Sequence, residues 1–190
     1  MTVALPRLTP GQETTLLDLA RRAVAARLQS RPAPLLENPS PRLLAPQGAF
    51  VSLHLGRALR GCVGVVMPVR PLATTVIECA AAAATEDPRF DPLGTTDLES
   101  VTIEISALDP PFPIADPSRL ILGTHGLMVT MGRRRGLLLP QVAVGQGWNV
   151  STFLEETCLK AGLPPDAWTQ GAMVEAFSAQ VFAEPEFPAH

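Results

Sequence analysis

The hexapeptide Leu59-Arg60-Gly61-Cys62-Val63-Gly64 brings a cation, a thiol and two glycines together in one short run. Cysteine does nucleophilic or redox chemistry as its thiolate, and a neighbouring cation increases the supply of that form. In a strand, residues two apart share a face at roughly 7 Å, which would set Arg60 beside Cys62. A unit charge at about that distance is worth about 0.6 kcal/mol in water and about 2.4 kcal/mol at an effective dielectric of 20, roughly half to nearly two pK units. Burial acts in the opposite sense. The competing reading makes Cys62 a small buried apolar side chain. Gly61 and Gly64 allow close backbone approach, either to a ligand or to a neighbouring strand.

Two histidines are candidate bases for Cys62: His54, and His125 in the Gly123-Thr124-His125-Gly126 turn. A metal site built from Cys62 and both histidines lacks local ligand spacing, so none is expected. Gly56 and Gly61 have the spacing of a phosphate loop, but Cys62 and Val63 stand where that loop needs Lys and Ser or Thr, which rejects it. In Asp87-Pro88-Arg89-Phe90, Arg89 is either a ligand contact or, with Asp87, a brace at the end of a helix. Ser106 and Gln141 are lesser candidates. Cys79 and Cys158 read as buried core residues.

These residues need elements to position them. Thr9-Pro10-Gly11-Gln12 is a helix start, and Leu17, Ala20, Val24 and Leu28 continue it as an apolar stripe. Residues 30–47 form a proline-rich connector. From Phe50 to Leu55 the chain alternates, with Val51, Leu53 and Leu55 on one face and Ser52 and His54 on the other. Gly56-Arg57-Ala58 turns this strand into a second one, Leu59 to Val66. Pro71 opens an Ala-rich helix, buried nearly all round, that ends near Asp87 because Pro88 disfavours helical geometry before it. Val101, Ile103, Ile105 and Ala107 alternate with polar residues as a strand. The glycine-separated runs Leu120–Leu122, Leu127–Met131 and Leu137–Leu139 predict hairpins, with Arg133-Arg134-Arg135 as a solvated tip. Asn149 caps a helix to about Ala161, and Met173–Phe182 favours strand. Helices interspersed with hairpins give an α+β fold with a mainly antiparallel sheet.

Composition narrows the function classes. A net charge of −3 repels polyphosphates, so nucleic-acid binding is not expected. No run reaches the eighteen or so apolar residues of a membrane span. The three cysteines form neither a disulfide framework nor a zinc cluster, and Met1–Pro10 lacks the pattern of a secretory signal. A cytoplasmic protein is the expectation.

Five runs carry a resemblance to a known family: Gly48-Ala49-Phe50-Val51, the hexapeptide, Asp87-Pro88-Arg89-Phe90, Ile103-Glu104-Ile105-Ser106, and Gly136-Leu137-Leu138-Leu139-Pro140-Gln141-Val142. In order and spacing the chain resembles the AMME chromosomal region protein family (AMMECR domain), in particular its microbial branch, the AmmeMemoRadiSam system protein A. Lys160-Ala161-Gly162-Leu163 and Trp168 extend the likeness over nearly the whole chain. The resemblance implies a single domain over 1–190 with two unequal lobes and a cleft between them, the smaller lobe within about 100–145. No reaction is established for the family. It implies, as partners, a Memo-like protein and a radical SAM enzyme; any cofactor is unknown. Members usually carry Glu three residues before the tryptophan that is Trp148 here, where this chain has Gly145. The expectation is a ligand- or partner-binding accessory module using Arg60, Gly61, Gly64, His54 and Arg89. The alternative is an enzyme with Cys62 as nucleophile or redox group and a base such as His125, and the third reading is a scaffold.

Overall fold

The computed structural model describes residues 5–67 and 69–185. The expectation drawn from Met1–Pro10 therefore falls partly outside the described residues. In chain order the elements are α1 (Pro10–Leu28), α2 (Pro41–Leu44), β1 (Ala49–Leu55), β2 (Ala58–Val65), α3 (Leu72–Thr85), β3 (Val101–Leu108), β4 (Phe112–Pro113), β5 (Gly126–Met131) and β6 (Arg134–Leu138). They are followed by α4 (Pro140–Gln146), α5 (Val150–Lys160), β7 (Met173–Phe177) and β8 (Ala179–Ala183). The fold is α+β, with paired strands that run antiparallel. Among the described residues no helix is long and apolar enough to cross a membrane.

The chain divides into two compact units. The first comprises Leu5–Leu108 and residues 180–185, around a sheet of order β2-β1-β3-β8. Its helix α1 starts as the capping pattern dictates: Thr9 accepts the Gln12 backbone N–H, and the Gln12 side chain accepts that of Thr9 at 3.0 Å. The buried stripe of α1 runs through Leu16, Leu19, Ala20, Ala23 and Val24, a step round from the one expected, with Leu17 and Leu28 on its margin. Helix α3 buries Leu72, Val76, Cys79, Ala80, Ala83 and Ala84 but exposes Glu78, so it has a polar edge that its Ala-rich sequence obscured. Val51, Leu53, Ile103 and Ile105 share the core with both helices. Alanines let the backbones approach closely: a methyl at Gly61 would overlap the Ala83 carbonyl oxygen of α3.

The second unit is Asp109–Ala179, built on a sheet of order β4-β7-β5-β6. Strand β7 pairs with β5, which ties the end of the unit into the sheet. Asn149 caps α5 by accepting the Thr152 N–H at 2.9 Å, and α5 buries Phe153, Leu154 and Cys158. Leu120–Leu122 is a turn rather than a strand, and α4 occupies the LPQVA segment. Arg133, Arg134 and Arg135 are exposed, with Arg134 donating to the Gly162 carbonyl at 2.7 Å. The stretch Met173–Phe182 falls in two strands, β7 and β8, in different sheets.

Candidate functional site

The first sheet has two unlike faces. Residues paired across a ladder project to the same side, and the β1 alternation sends Val51 and Leu53 into the helical core. The opposite face is therefore set by three rows. Ser52 pairs with Cys62 on β2 and Glu104 on β3, Phe50 pairs with Gly64 and Ser106, and His54 pairs with Leu59 and Thr102. Apart from Phe50, Leu59 and Gly64 this face is polar. Two of its side chains, Ser52 and Ser106, are nonetheless 7% and 2% exposed.

Cys62 lies at the centre of a closed set of contacts. On the outer edge of β2 its backbone N–H donates to Asp87 Oδ2 at 2.8 Å. Arg89 donates to the same carboxylate through Nε at 2.9 Å and a terminal nitrogen at 2.6 Å, and reaches the Cys62 carbonyl at 3.4 Å. The Asp-Pro-Arg-Phe turn thus covers an edge-strand peptide that would otherwise offer itself for pairing. Arg89 also stacks over Phe90, 5.3 Å from the ring centre. Asp87 is buried, and the Arg89 guanidinium holds its carboxyl well below the usual carboxylate range, with help from the Cys62 and Arg89 backbone N–H groups. Arg89 is in turn held more firmly protonated by Asp87.

The thiol itself receives a hydrogen bond from the Ser52 hydroxyl at 3.3 Å. Burial pushes its pKa up. The Ser52 hydrogen bond and the Arg89 charge pull down, Asp87 and Glu104 push up, and the net result is above the ordinary value. The cation that acts on Cys62 is thus Arg89 and not Arg60. The reason is a shift of register: Leu53 pairs with Gly61 but His54 pairs with Leu59, leaving Arg60 as an extra residue in β2. The regular strand needed to place Arg60 beside Cys62 is interrupted at Arg60 itself.

Arg60 and His54 lie at the bulged end of the β1–β2 hairpin. Both are partly buried, and Arg60 Nε and His54 Nε2 are closed to solvent with no hydrogen-bond partner. Gly61 faces the core, where Ala83 fills the space a side chain would take, and Gly64 leaves room for the Phe50 ring, which a methyl there would overlap. His125 belongs to the second unit. Its Nδ1 accepts the Ile121 N–H at 3.1 Å, its ring meets Phe112 edge-on at 5.7 Å, and burial lowers its pKa, favouring the neutral form. Gly145 sits exposed in α4 with open space beside its Cα. Cys79 and Cys158 are buried, and burial pushes Cys79 up to about 12. Among the described residues no three His, Cys, Asp or Glu side chains gather as a metal site requires.

Sequence reasoning missed Ser52 as a donor to the thiol, Asp87 as the acceptor for the Cys62 N–H, and Glu104 as the cross-strand neighbour of Ser52. Ser52 was visible as a polar residue in the β1 alternation, but which residues it faces depends on register, which no local pattern gave.

Comparison with known proteins fits this architecture. The AMMECR1 family model matches residues 17–182. A protein of Thermofilum pendens is 42% identical over an alignment covering 94% of this chain and 92% of its own, and one of Methanopyrus kandleri is 40% identical with 95% and 92% covered. The crystal structure of an uncharacterized protein, PH0010, from Pyrococcus horikoshii superposes with a TM-score of 0.83 at 38% identity, covering 90% of each chain. By sequence over most of its length, and by fold, the chain belongs to the AMMECR1 family.

Proposed function

We propose that the protein is an accessory module that binds a small ligand or a partner on the polar face of its first sheet, at the border formed by Leu59–Gly64. The observation that carries this reading is the composition of that face: Ser52, His54, Cys62, Thr102, Glu104 and Ser106 stand on one side of a sheet whose other side is core. A solvated sheet face is polar in any case, but here Ser52 and Ser106 are buried, so part of this face is withdrawn from water as the lining of a binding surface is. The resemblance of the chain adds whom such a module would serve, a Memo-like protein and a radical SAM enzyme.

A second reading, Cys62 as nucleophile or redox group, draws on the Ser52 hydrogen bond and the Arg89 charge, both of which favour a thiolate. Burial outweighs them, so the thiol is protonated at neutral pH and binding is the better-supported function.

Two experiments test the binding reading together. Mass spectrometry of the native protein, purified without denaturation, should reveal a small molecule released on unfolding; alternatively, immobilised protein should retain a Memo-like protein from the same cell at micromolar concentration. Absence of both a released molecule and a retained partner would overturn it.

A further inference from the structure

The bulged end of β2 has a composition of its own. The hairpin over residues 49–65 contains His54, Arg57 and Arg60 and not one Asp or Glu, in a chain whose net charge is −3. Arg57 is exposed at the turn, whereas Arg60 and His54 are partly buried. His54 pairs across the ladder with Leu59, the chain neighbour of Arg60, so the two side chains originate from adjoining positions. The nearest acid in the ladder is Glu104, one row further along, opposite Ser52.

A guanidinium keeps its charge at every relevant pH, so a buried Nε–H cannot escape its need for an acceptor by titrating. Arg60 enters no ion pair among the described residues. Its Nε and the Nε2 of His54 are both buried without a protein partner, an arrangement that native structures seldom leave without an ordered water, an ion or a ligand to complete it. The bulge is the second sign, because an extra residue in one strand re-aims a side chain out of the regular alternation and is over-represented beside binding sites.

From these features we infer that the bulged end of β2 holds an oxyanion, a carboxylate or phosphate group of the ligand, admitted as the Arg60 and His54 side chains turn toward it and then gripped side-on by Arg60 and hydrogen-bonded by His54. This rests on the binding reading above and specifies its ligand. The Nε–H and an adjacent Nη–H of a guanidinium form a planar fork that matches two oxygens of either group. His54 supplies a further N–H, and Thr102, its partner across the ladder, places a hydroxyl-bearing residue on the same face. Arg57 at the exposed turn adds long-range attraction for an anion.

The test is an NMR titration of the ¹⁵N-labelled full chain, following the Arg60 Nε–H and His54 ring signals. Inorganic phosphate and acetate are added separately at constant ionic strength, with chloride as the control. At least one oxyanion should shift both signals saturably while chloride does not, and the tighter of the two identifies the group. Arg60→Met should weaken that binding by about 10- to 100-fold, and Arg60→Lys, which keeps charge without the fork, should restore only part. No saturable shift with either oxyanion, or the same shift with chloride, overturns the assignment, and the wild-type titration decides this even if a variant fails to fold. A small molecule released from the native protein while phosphate and acetate leave Arg60 unmoved would keep the binding face and remove the oxyanion; failure of both would remove both.

Discussion

The two ends of the hexapeptide differ in how completely their polar groups are matched. At Cys62 both backbone groups and the thiol have partners, from Asp87, Arg89 and Ser52. At Arg60, three residues from the turn, a permanently charged side chain has a buried nitrogen with none. The first end has the character of a joint, in which an exposed edge is sealed and a turn fixed. The second stores unsatisfied hydrogen-bonding capacity, a condition that costs stability and is found where function requires it. The cysteine draws attention in the sequence, yet its thiol and backbone groups are all partnered, whereas the arginine keeps a buried nitrogen that is not.

This contrast fails if the joint can be removed cheaply. Asp87→Ala would leave the Cys62 N–H and the Arg89 guanidinium without their acceptor. With Arg89 half exposed and partly able to turn to water, the loss should be about 2–3 kcal/mol in urea unfolding. Gly61→Ala drives a methyl into the Ala83 carbonyl and should cost roughly 1–3 kcal/mol by the same measurement. Arg60→Met should go the other way, neutral or stabilising by up to about 1 kcal/mol, since it removes a cation that has no partner in the unliganded fold.

Acid sharpens the comparison further. The Asp87 carboxyl is held below its ordinary pKa, so its ionisation stabilises the folded state above about pH 4, and that contribution is lost as pH falls through the lower folded value. Asp87→Asn should therefore flatten the acid side of the stability profile, which Arg60→Met should leave unchanged. The smallest effect concerns Cys62. With its pKa raised, the native thiol should alkylate more slowly than the unfolded one at neutral pH, and reactivity should rise only at more alkaline pH. Faster alkylation in the native state below pH 8 would restore the thiolate reading.

Much of the scaffold was legible because local rules govern it. Thr9 and Gln12 start α1, Asn149 starts α5, and the Val51, Leu53, Ser52 and His54 alternation assigned the faces of β1 before any coordinates did. What was not legible depends on pairing between distant segments. The extra residue at Arg60 exists only relative to β1, and it turns an expected Arg60–Cys62 neighbourhood into one made by Arg89, 27 residues away in the chain. Polar residues pairing across strands, such as Ser52 with Glu104, are likewise fixed by register. The role of Gly61 changed for the same reason: its close approach is to Ala83 of α3, a contact invisible from the hexapeptide alone.

The most direct measurement compares what three proteins retain from the same cell extract: wild type, Arg60→Met and Cys62→Ser, each denatured after native purification and analysed for released small molecules. The account predicts that Cys62→Ser releases the same compound as wild type while Arg60→Met releases little or none. Loss of the compound from Cys62→Ser with retention by Arg60→Met would contradict it and return the chemistry of this protein to its thiol.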